Sequence, residues 1–505
     1  MLRLKSENLR SKLRRMPLLR ALPPLAAGIL LADHYVLPLW LLVGGFLVCG
    51  ILALLADDRG ANLATLGAIL LFGMTVTELR HTPAPPTGTP GEYEIIVRER
   101  LSEREGKTAS GASLRALRNS ETGEWPAAGN LVVRCDSSTA LNPGDRAVVR
   151  GKIYPFTARH GGYGRLMTRR GYVGTLYLNR SSLLLRDTLH RELSPKHLSL
   201  FLHERAVARL DRLALAPDEQ ALCNAMTAGD RRSLSPALRA AYSRSGTSHL
   251  LAVSGLHVGI VFLLANLLLW WLPLFRHGHI LRNIAVILLI WLYAATTGFP
   301  PSVVRAALMF SVLQFALASS SEYVGMNTLA GVAFVMLLFH PDYLFDISFQ
   351  LSFIAVAGII AWGLPLCRLL RTRRKSIDML TATLAIGFSA SAATAPLISH
   401  TFGQISVVGL ALNPVVILLS YVVVGSCTLW LVIPGTALAP LFSVVAGFAA
   451  RAQNELIRAA AALPAAALDI RLTTTQCWSV YGLFIFATLL LWSAERKKSV
   501  SSLPE

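Results

Sequence analysis

From Ser248 to Trp492 the chain is almost wholly apolar, and that run removes most folds from consideration. A helix crossing a hydrocarbon core about 30 Å thick needs roughly 20 apolar residues. The stretches around Ile284–Leu292, Val303–Leu317, Phe349–Leu364 and Val415–Val432, with their flanks, meet that need. Only 15% of the residues are charged, against about 25% in soluble domains, and the mean hydropathy is +0.51. Inside lipid, helices and closed barrels alone satisfy every backbone polar group internally. A run this long therefore reads as a bundle of membrane helices.

Residues 1–80 have the same character. Apolar segments lie at about Pro17–Ala32, Leu37–Ala56 and Ala61–Leu79. The basic start, Met1–Met16, is followed by no clean small-residue cleavage site, so the first segment reads as an uncleaved helix and not a signal peptide. The Pro-rich stretch His81–Pro90 closes this block. Residues 91–190 are polar and Gly-rich, with short strand-like runs at Tyr93–Val97, Leu131–Arg134, Arg146–Ile153 and Tyr172–Leu178. Turn signals such as Asn142-Pro143-Gly144-Asp145 separate them, and the pattern predicts a small β-barrel. Residues 191–247 form a connector in which Leu198, Phe201, Leu202, Val207, Leu210 and Leu213 recur at helical spacing among charged residues, an amphipathic helix. Residues 248–494 are the main membrane domain, and the polar tail 495–505 is expected to be disordered.

Charge orients the whole. The basic loops Arg276–Arg282, Arg368–Lys375 and Arg496–Lys498, with the basic start, belong on the cytoplasmic side. Three opening spans then place the β domain outside, and about eleven spans return the other loops inside. The expected fold class is a polytopic α-helical membrane protein of about 11 spans with an inserted extracytoplasmic small β-barrel. The 48 Lys and Arg outnumber 29 Asp and Glu, for a net +19. Arg98–Arg244 alone carries 25 basic and 14 acidic residues, a net +11. Such a balance suits phosphate, in lipid headgroups or in nucleic acid. Tyr154, Phe156, Tyr163, Tyr172 and Tyr177 lie among arginines there, where they either stack on bases or fill the barrel core, the latter reading being stronger for Tyr172. The six cysteines, Cys49, Cys135, Cys223, Cys367, Cys427 and Cys477, have no metal-ligand spacing and read as isolated thiols; Cys135 and Cys223 could pair in an oxidising compartment.

One segment concentrates polar groups in an apolar setting: Ser248–Ile260, SHLLAVSGLHVGI. On one continuous helix at about 100° per residue, His249, His257 and Ser254 fall near 0°, 80° and 140°, with Gly255 and Gly259 opposite. The polar side suits a watery path, or bonds across helices. The small side allows close helix packing. Further on, Pro300-Pro301 before an apolar run begins a helix, and Gly298 just ahead allows an interrupted helix whose amides face a phosphate. Arg305, one turn in, either adds charge there or snorkels to the headgroups. Asp346 and Gln350 share a helix face, Asp346 as a path residue or a cap. Pro396 reads as a kink and Asn413-Pro414 as a break, with His400 an ordinary interfacial histidine.

These segments together resemble the ComEC family of competence proteins. The resemblance rests on Ser245-Gly246 to Val258, then Thr297–Ser302 with Arg305, Pro341-Asp342 with Asp346 and Phe349–Phe353, Thr394–Pro396 with Phe402-Gly403, and Asn413-Pro414, in order. Upstream, Pro143–Gly151 and Gly161–Gly171 resemble the family's OB-like domain. The resemblance implies an inner-membrane channel for single-stranded DNA in natural transformation, with His249, Ser254, His257, Arg305, Asp346 and Gln350 as path candidates. Membrane lipid and a separate DNA receptor, nuclease and motor helicase are the implied partners. Many members carry a metallo-β-lactamase-like domain. Here no H-x-H-x-D-H run occurs and the chain ends at Glu505, so no nuclease, metal or cofactor is expected. Nor is there a G-x-x-x-x-G-K-[ST] run for an ATPase. Two rivals remain: a small-solute permease, and an intramembrane serine hydrolase suggested by Ala252–Gly255 with a histidine nearby.

Overall fold

The computed structural model describes residues 16–35, 37–80, 90–104, 107–119, 123–136, 139, 141–156, 161–187, 195–319, 325–406, 408–433, 438–463 and 467–501. The basic start through residue 15, most of the Pro-rich break (81–89) and the end of the tail (502–505) lie outside the described residues. The chain divides into two compact units, one of Pro24–Arg205 with Leu337–Phe345, the other of Met1–Pro23, Ala206–Met336 and Asp346–Glu505.

The first unit holds most of α1 (Pro17–His34), with α2 (Leu39–Leu55), α3 (Asp58–Glu78) and the β domain. Glycines set the helix spacing. A Cβ on Gly28 would lie 2.0 Å from the Leu70 carbonyl oxygen, and one on Gly73 would lie 2.6 Å from that of Leu25. Helices α1 and α3 therefore touch backbone to backbone, the contact that small residues permit in lipid.

In the β domain the strands are β1 (Pro90–Arg104), β2 (Lys107–Asn119), β3 (Gly123–Asp136), β4 (Arg146–Pro155), β5 (Tyr172–Leu178) and β6 (Leu183–Asp187), with α4 (Gly161–Arg169) between β4 and β5. Five close a barrel in the order β1-β2-β3-β5-β4 and back to β1, and β6 flanks β4. All neighbours are antiparallel except β3 and β5, which run parallel from Asn130↔Tyr172 to Cys135↔Leu178. Alternate residues point inward: Tyr93, Ile95, Val97, then Leu131, Val133, Cys135, then Ala147, Val149, form one core with Leu176 and Leu178. The Asn142–Asp145 turn is fixed by the buried Asp145 carboxylate, which accepts from the Asn142 amide at 3.0 Å and from the Arg186 guanidinium at 2.6 Å. At the end of α4, Arg169 grips Asp33 in α1 through two bonds, at 2.8 and 2.5 Å, and lies 3.7 Å over the Phe345 ring.

The second unit is helical. Connector helices α5 (Pro195–Leu210, which crosses the unit boundary), α6 (Pro217–Thr227) and α7 (Pro236–Arg244) lead to α8 (Gly255–Leu268), α9 (Gly278–Thr296), α10 (Pro301–Ser319), α11 (Gly325–Phe339) and α12 (Ile347–Gly358). After the short α13 (Leu364–Leu369) come α14 (Lys375–Phe402), β7 (Gln404–Ser406), α15 (Val408–Val432), α16 (Ala439–Ala461), β8 (Ala467–Asp469) and α17 (Thr474–Ser501). Across both units, six helical stretches among the described residues are long and apolar enough to span a membrane; Leu39–Leu55, Pro301–Phe315 and Gly325–Phe339 are apolar but shorter. Pro396 and Pro414 lie inside continuous helices and end neither. Neighbouring groups satisfy carbonyls nearby: the Tyr481 hydroxyl donates to Ala393 O at 3.1 Å. The tail is helical through Ser501, not disordered from residue 495. All six thiols are free; Cys135 belongs to the barrel core and Cys223 to the helical core.

Candidate functional site

The segment Ser248–Ile260 does not form one helix. A 3-10 turn, Ser248–Leu250, is followed by extended residues, and α8 starts at Gly255 with Ser254 as its N-cap. The angles that placed His249 and Ser254 on the face of a single helix therefore do not hold. The structural reason is local. His257, at the third helical position, reaches back: the Ser254 amide donates to its Nδ1 at 2.9 Å, and the Ser254 hydroxyl lies 3.0 Å from the same nitrogen. This is a capping box in which histidine fills the place usually held by Glu or Gln. His257 is wholly buried and its Nε2 has no partner, so its ring does not face an open path. His249 differs: it lies in the 3-10 turn and is exposed.

Distant segments converge on this turn. A Cβ on Gly246 (φ +75°) would lie 2.3 Å from Ser406 Cβ, and one on Gly409 would lie 2.9 Å from Ser245 O, so the turn is clamped to the segment around β7. A Cβ on Gly229 would meet Val253 at 3.3 Å and Thr297 O at 3.7 Å. The Ser302 hydroxyl donates to Val253 O at 2.8 Å and ties the start of α10 to the same place. Gly255 and Gly259 face α10: their added Cβ atoms would lie 3.7 Å from Ala306 Cβ and 3.3 Å from the Phe310 ring. Pro300 precedes α10 and Pro301 begins it.

Arg305 lies one turn into α10, 3% exposed, with its guanidinium 5.4 Å from the Phe353 ring of α12. Asp346, whose field reaches Arg305, caps α12 by accepting from the amides of Ser348 at 2.8 Å and Phe349 at 3.2 Å. Gln350 is half-buried in the first turn of the same helix. The six path candidates thus separate into a capping pair, Ser254 and His257; one accessible ring, His249; and a group of Arg305, Asp346 and Gln350 at the starts of α10 and α12. His400 accepts no such role: its Nδ1 lies 3.0 Å from Leu472 O. Sequence reasoning did not single out the loop at Gly229, where Asp230 holds Arg232 at 2.8 Å. Nearby, partial burial and then the charge of Arg239 hold Arg231 below the usual guanidinium range.

The barrel carries a second cluster on its outside. Tyr154, Tyr163 and Tyr177 are 47%, 40% and 52% exposed, whereas Tyr172 is buried beneath α4 with Val132 and Met167. Tyr154 and Tyr177 meet edge to face at 5.8 Å, and Phe156 and Tyr163 at 6.3 Å. Register pairs Arg134 with Tyr177, and its guanidinium lies 5.5 Å over Tyr163; Lys152 Nζ lies 5.9 Å from the Tyr154 ring centre. Arg134 and Lys152 carried no sequence signal beyond their charge. Among the described residues no three His, Cys, Asp or Glu side chains converge as metal ligands.

Comparison with known proteins places these features. The chain is 33% identical over 204 residues to ComE operon protein 3 of Bacillus subtilis, a match covering 39% of this chain and 24% of the relative. It is 29% identical over 201 residues to an uncharacterized protein of Aquifex aeolicus, covering 39% of this chain and 45% of that one. The matches thus span less than half the length of either relative. No solved structure matches significantly. The family described as competence protein matches residues 226–497, from the end of α6 into α17, more than half of the chain and all of the convergent segments around Ser254. The chain belongs to the competence protein (ComEC) family.

Proposed function

We propose that the chain is the inner-membrane path by which single-stranded DNA enters a cell during natural transformation. The observation that carries this reading is the coincidence of the family match with the place where separate loops converge on the Ser254 turn. A polyanion cannot enter hydrocarbon, so it needs polar and basic groups inside a helical bundle. In this reading about eleven spans hold the helical unit, and the barrel, of OB-like strand order, faces outward and gathers the strand on its exposed tyrosines. A narrow bundle admits one strand and not a duplex. The chain acts as a channel and not as an enzyme, with lipid, a DNA receptor, a nuclease and a motor helicase as its partners. The test is a strain lacking the protein: uptake of labelled DNA should disappear and return with the wild-type chain. Undiminished uptake in that strain ends the proposal.

The geometry of Ser254 and His257 separates this reading from the hydrolase. A general base needs its lone pair free for the hydroxyl proton. The Nδ1 lone pair here already accepts the Ser254 amide, and the other ring nitrogen is buried without an orienting acid. His257→Gln keeps a capping acceptor but cannot act as a base. It should retain at least half of wild-type DNA uptake at normal protein level, whereas His257→Ala should lose about 0.5–2 kcal/mol of stability with the cap. Complete loss of uptake in a His257→Gln protein of wild-type abundance points instead to chemistry at the imidazole. A permease would show no dependence on the exposed barrel tyrosines.

A further inference from the structure

We infer that Arg305 is a phosphodiester-binding cation, held between α10 and α12 as a latch that an incoming phosphate opens; the inference rests on reading the helical unit as a nucleic-acid path. Arg305 is 3% exposed and its Nη1 has no hydrogen-bond partner. A buried guanidinium with an unmet donor is costly, and in an apolar bundle such a group marks the place of an anion. Its surroundings supply only part of one. The Phe353 ring offers its face at 5.4 Å, and the Asp346 carboxylate at the start of α12 already accepts from two amides of that helix through one oxygen.

The start of α10 adds positive potential at the same spot. Gly298 and Phe299 both adopt left-handed backbone, φ +86° and +54°, a conformation that Phe299 holds against its Cβ. The chain turns there so that α10 begins next to the Ser254 turn, where the Ser302 hydroxyl pins it to Val253 O. Pro300 and Pro301 have no N–H, so Ser302 is the first amide donor of the helix end. A helix N-terminus of 19 residues and a guanidinium one turn inside it favour the same ligand, a small anion. The planar fork of arginine matches a phosphodiester through two parallel bonds, which lysine cannot make.

The guanidinium lies against the Phe353 ring of α12, with the Asp346 cap at the start of that helix. A phosphate that binds Arg305 competes with the ring. Its charge compensates the buried cation while α10 and α12 part, so each passing phosphate of a strand finds a cation already desolvated. Asp346 keeps its capping bonds throughout.

The phosphodiester belongs to a DNA strand or to a lipid headgroup, and one experiment distinguishes them. The full chain in phosphate-free maltoside micelles is irradiated with a 4-thiothymidine oligonucleotide, and crosslinked peptides are mapped by mass spectrometry. Retained phosphatidylglycerol is measured in parallel by native mass spectrometry. Crosslinks to α10 and α12 are expected, falling at least tenfold in Arg305→Gln and at least threefold in the charge-keeping Arg305→Lys, and rising in Asp346→Asn. If only retained phosphatidylglycerol depends on Arg305, the phosphodiester site stands with lipid as its source. Wild-type crosslinking and lipid retention in both Arg305 variants, at unchanged melting temperature, overturn the inference. Loss of uptake in the deletion strain with full restoration by Arg305→Gln would defeat this latch and leave the channel reading intact.

Discussion

Replacing Tyr154 and Tyr177 together by alanine is expected to weaken binding of a single-stranded oligonucleotide to the full chain by about thirtyfold or more. Base stacking on an aromatic side chain contributes about 1–3 kcal/mol per base, so two lost platforms remove at least about 2 kcal/mol. Both rings stand outside the barrel, about half exposed and edge to face at 5.8 Å, with Lys152 and Arg134 at their margins. Because neither ring belongs to the barrel core, the melting temperature should stay within a degree or two of wild type, as for other surface substitutions. Phenylalanine at both positions keeps the stacking face and should bind nearly normally. Lys152→Ala and Arg134→Ala should each lower the salt dependence of binding by about 0.7 of a counterion for a single strand. Fluorescence anisotropy at two salt concentrations reads all of these. Wild-type affinity in the double alanine variant would show that the cluster is only the solvated side of a barrel.

The two clusters differ in how far the sequence announces them. Alternation along Tyr93-Ile95-Val97 and Leu131-Val133-Cys135 exposes the barrel directly, because a strand with one buried face must repeat every two residues. Strand β2 escapes the same reasoning. Its residues, Lys107 to Asn119, are mostly small or charged, and only their partners across the sheet give them a register. The membrane helices are legible wherever roughly 20 apolar residues run together, but their ends are not. Pro396 and Pro414 look like breaks because proline removes a helical bond, yet the surrounding bundle keeps both helices intact. At Ser254 the sequence holds a true helix start in an unfamiliar form. A capping box is recognised by Glu or Gln at the third position, and histidine there hides it inside an apparently continuous apolar run. The contact of Gly246 with Ser406 has no local signal at all, since 160 residues separate the partners and only the folded bundle brings them together.

Glycine placement leads to the other large effect. Gly28→Ala and Gly73→Ala should each sharply reduce the amount of protein in the membrane, although each adds a single methyl group. A Cβ at Gly28 would lie 2.0 Å from the Leu70 carbonyl oxygen and 3.2 Å from the Met74 amide nitrogen; at Gly73 it would lie 2.6 Å from the Leu25 oxygen. These neighbours are backbone, which cannot swing aside as a side chain can, so α1 and α3 must separate. Overpacking of this kind costs about 1–3 kcal/mol or more, a large part of the roughly 5–15 kcal/mol that holds a domain together. Separation also strips the close contacts that take the place of hydrophobic driving force between helices in lipid. The same helices reach the barrel through Asp33, five residues beyond Gly28 on α1, which Arg169 grips. A displaced α1 therefore disturbs the seat of the barrel as well as the pair of helices. Gly44→Ala and Gly50→Ala on α2 provide matched controls, since an added Cβ at either meets nothing within 4 Å. Alanine there should leave abundance unchanged or slightly raised, because it lowers the entropy of the unfolded chain. Immunoblots of membrane fractions and protease resistance of the barrel would test the contrast, and equal abundance across all four variants would show that α1 and α3 do not pack backbone to backbone.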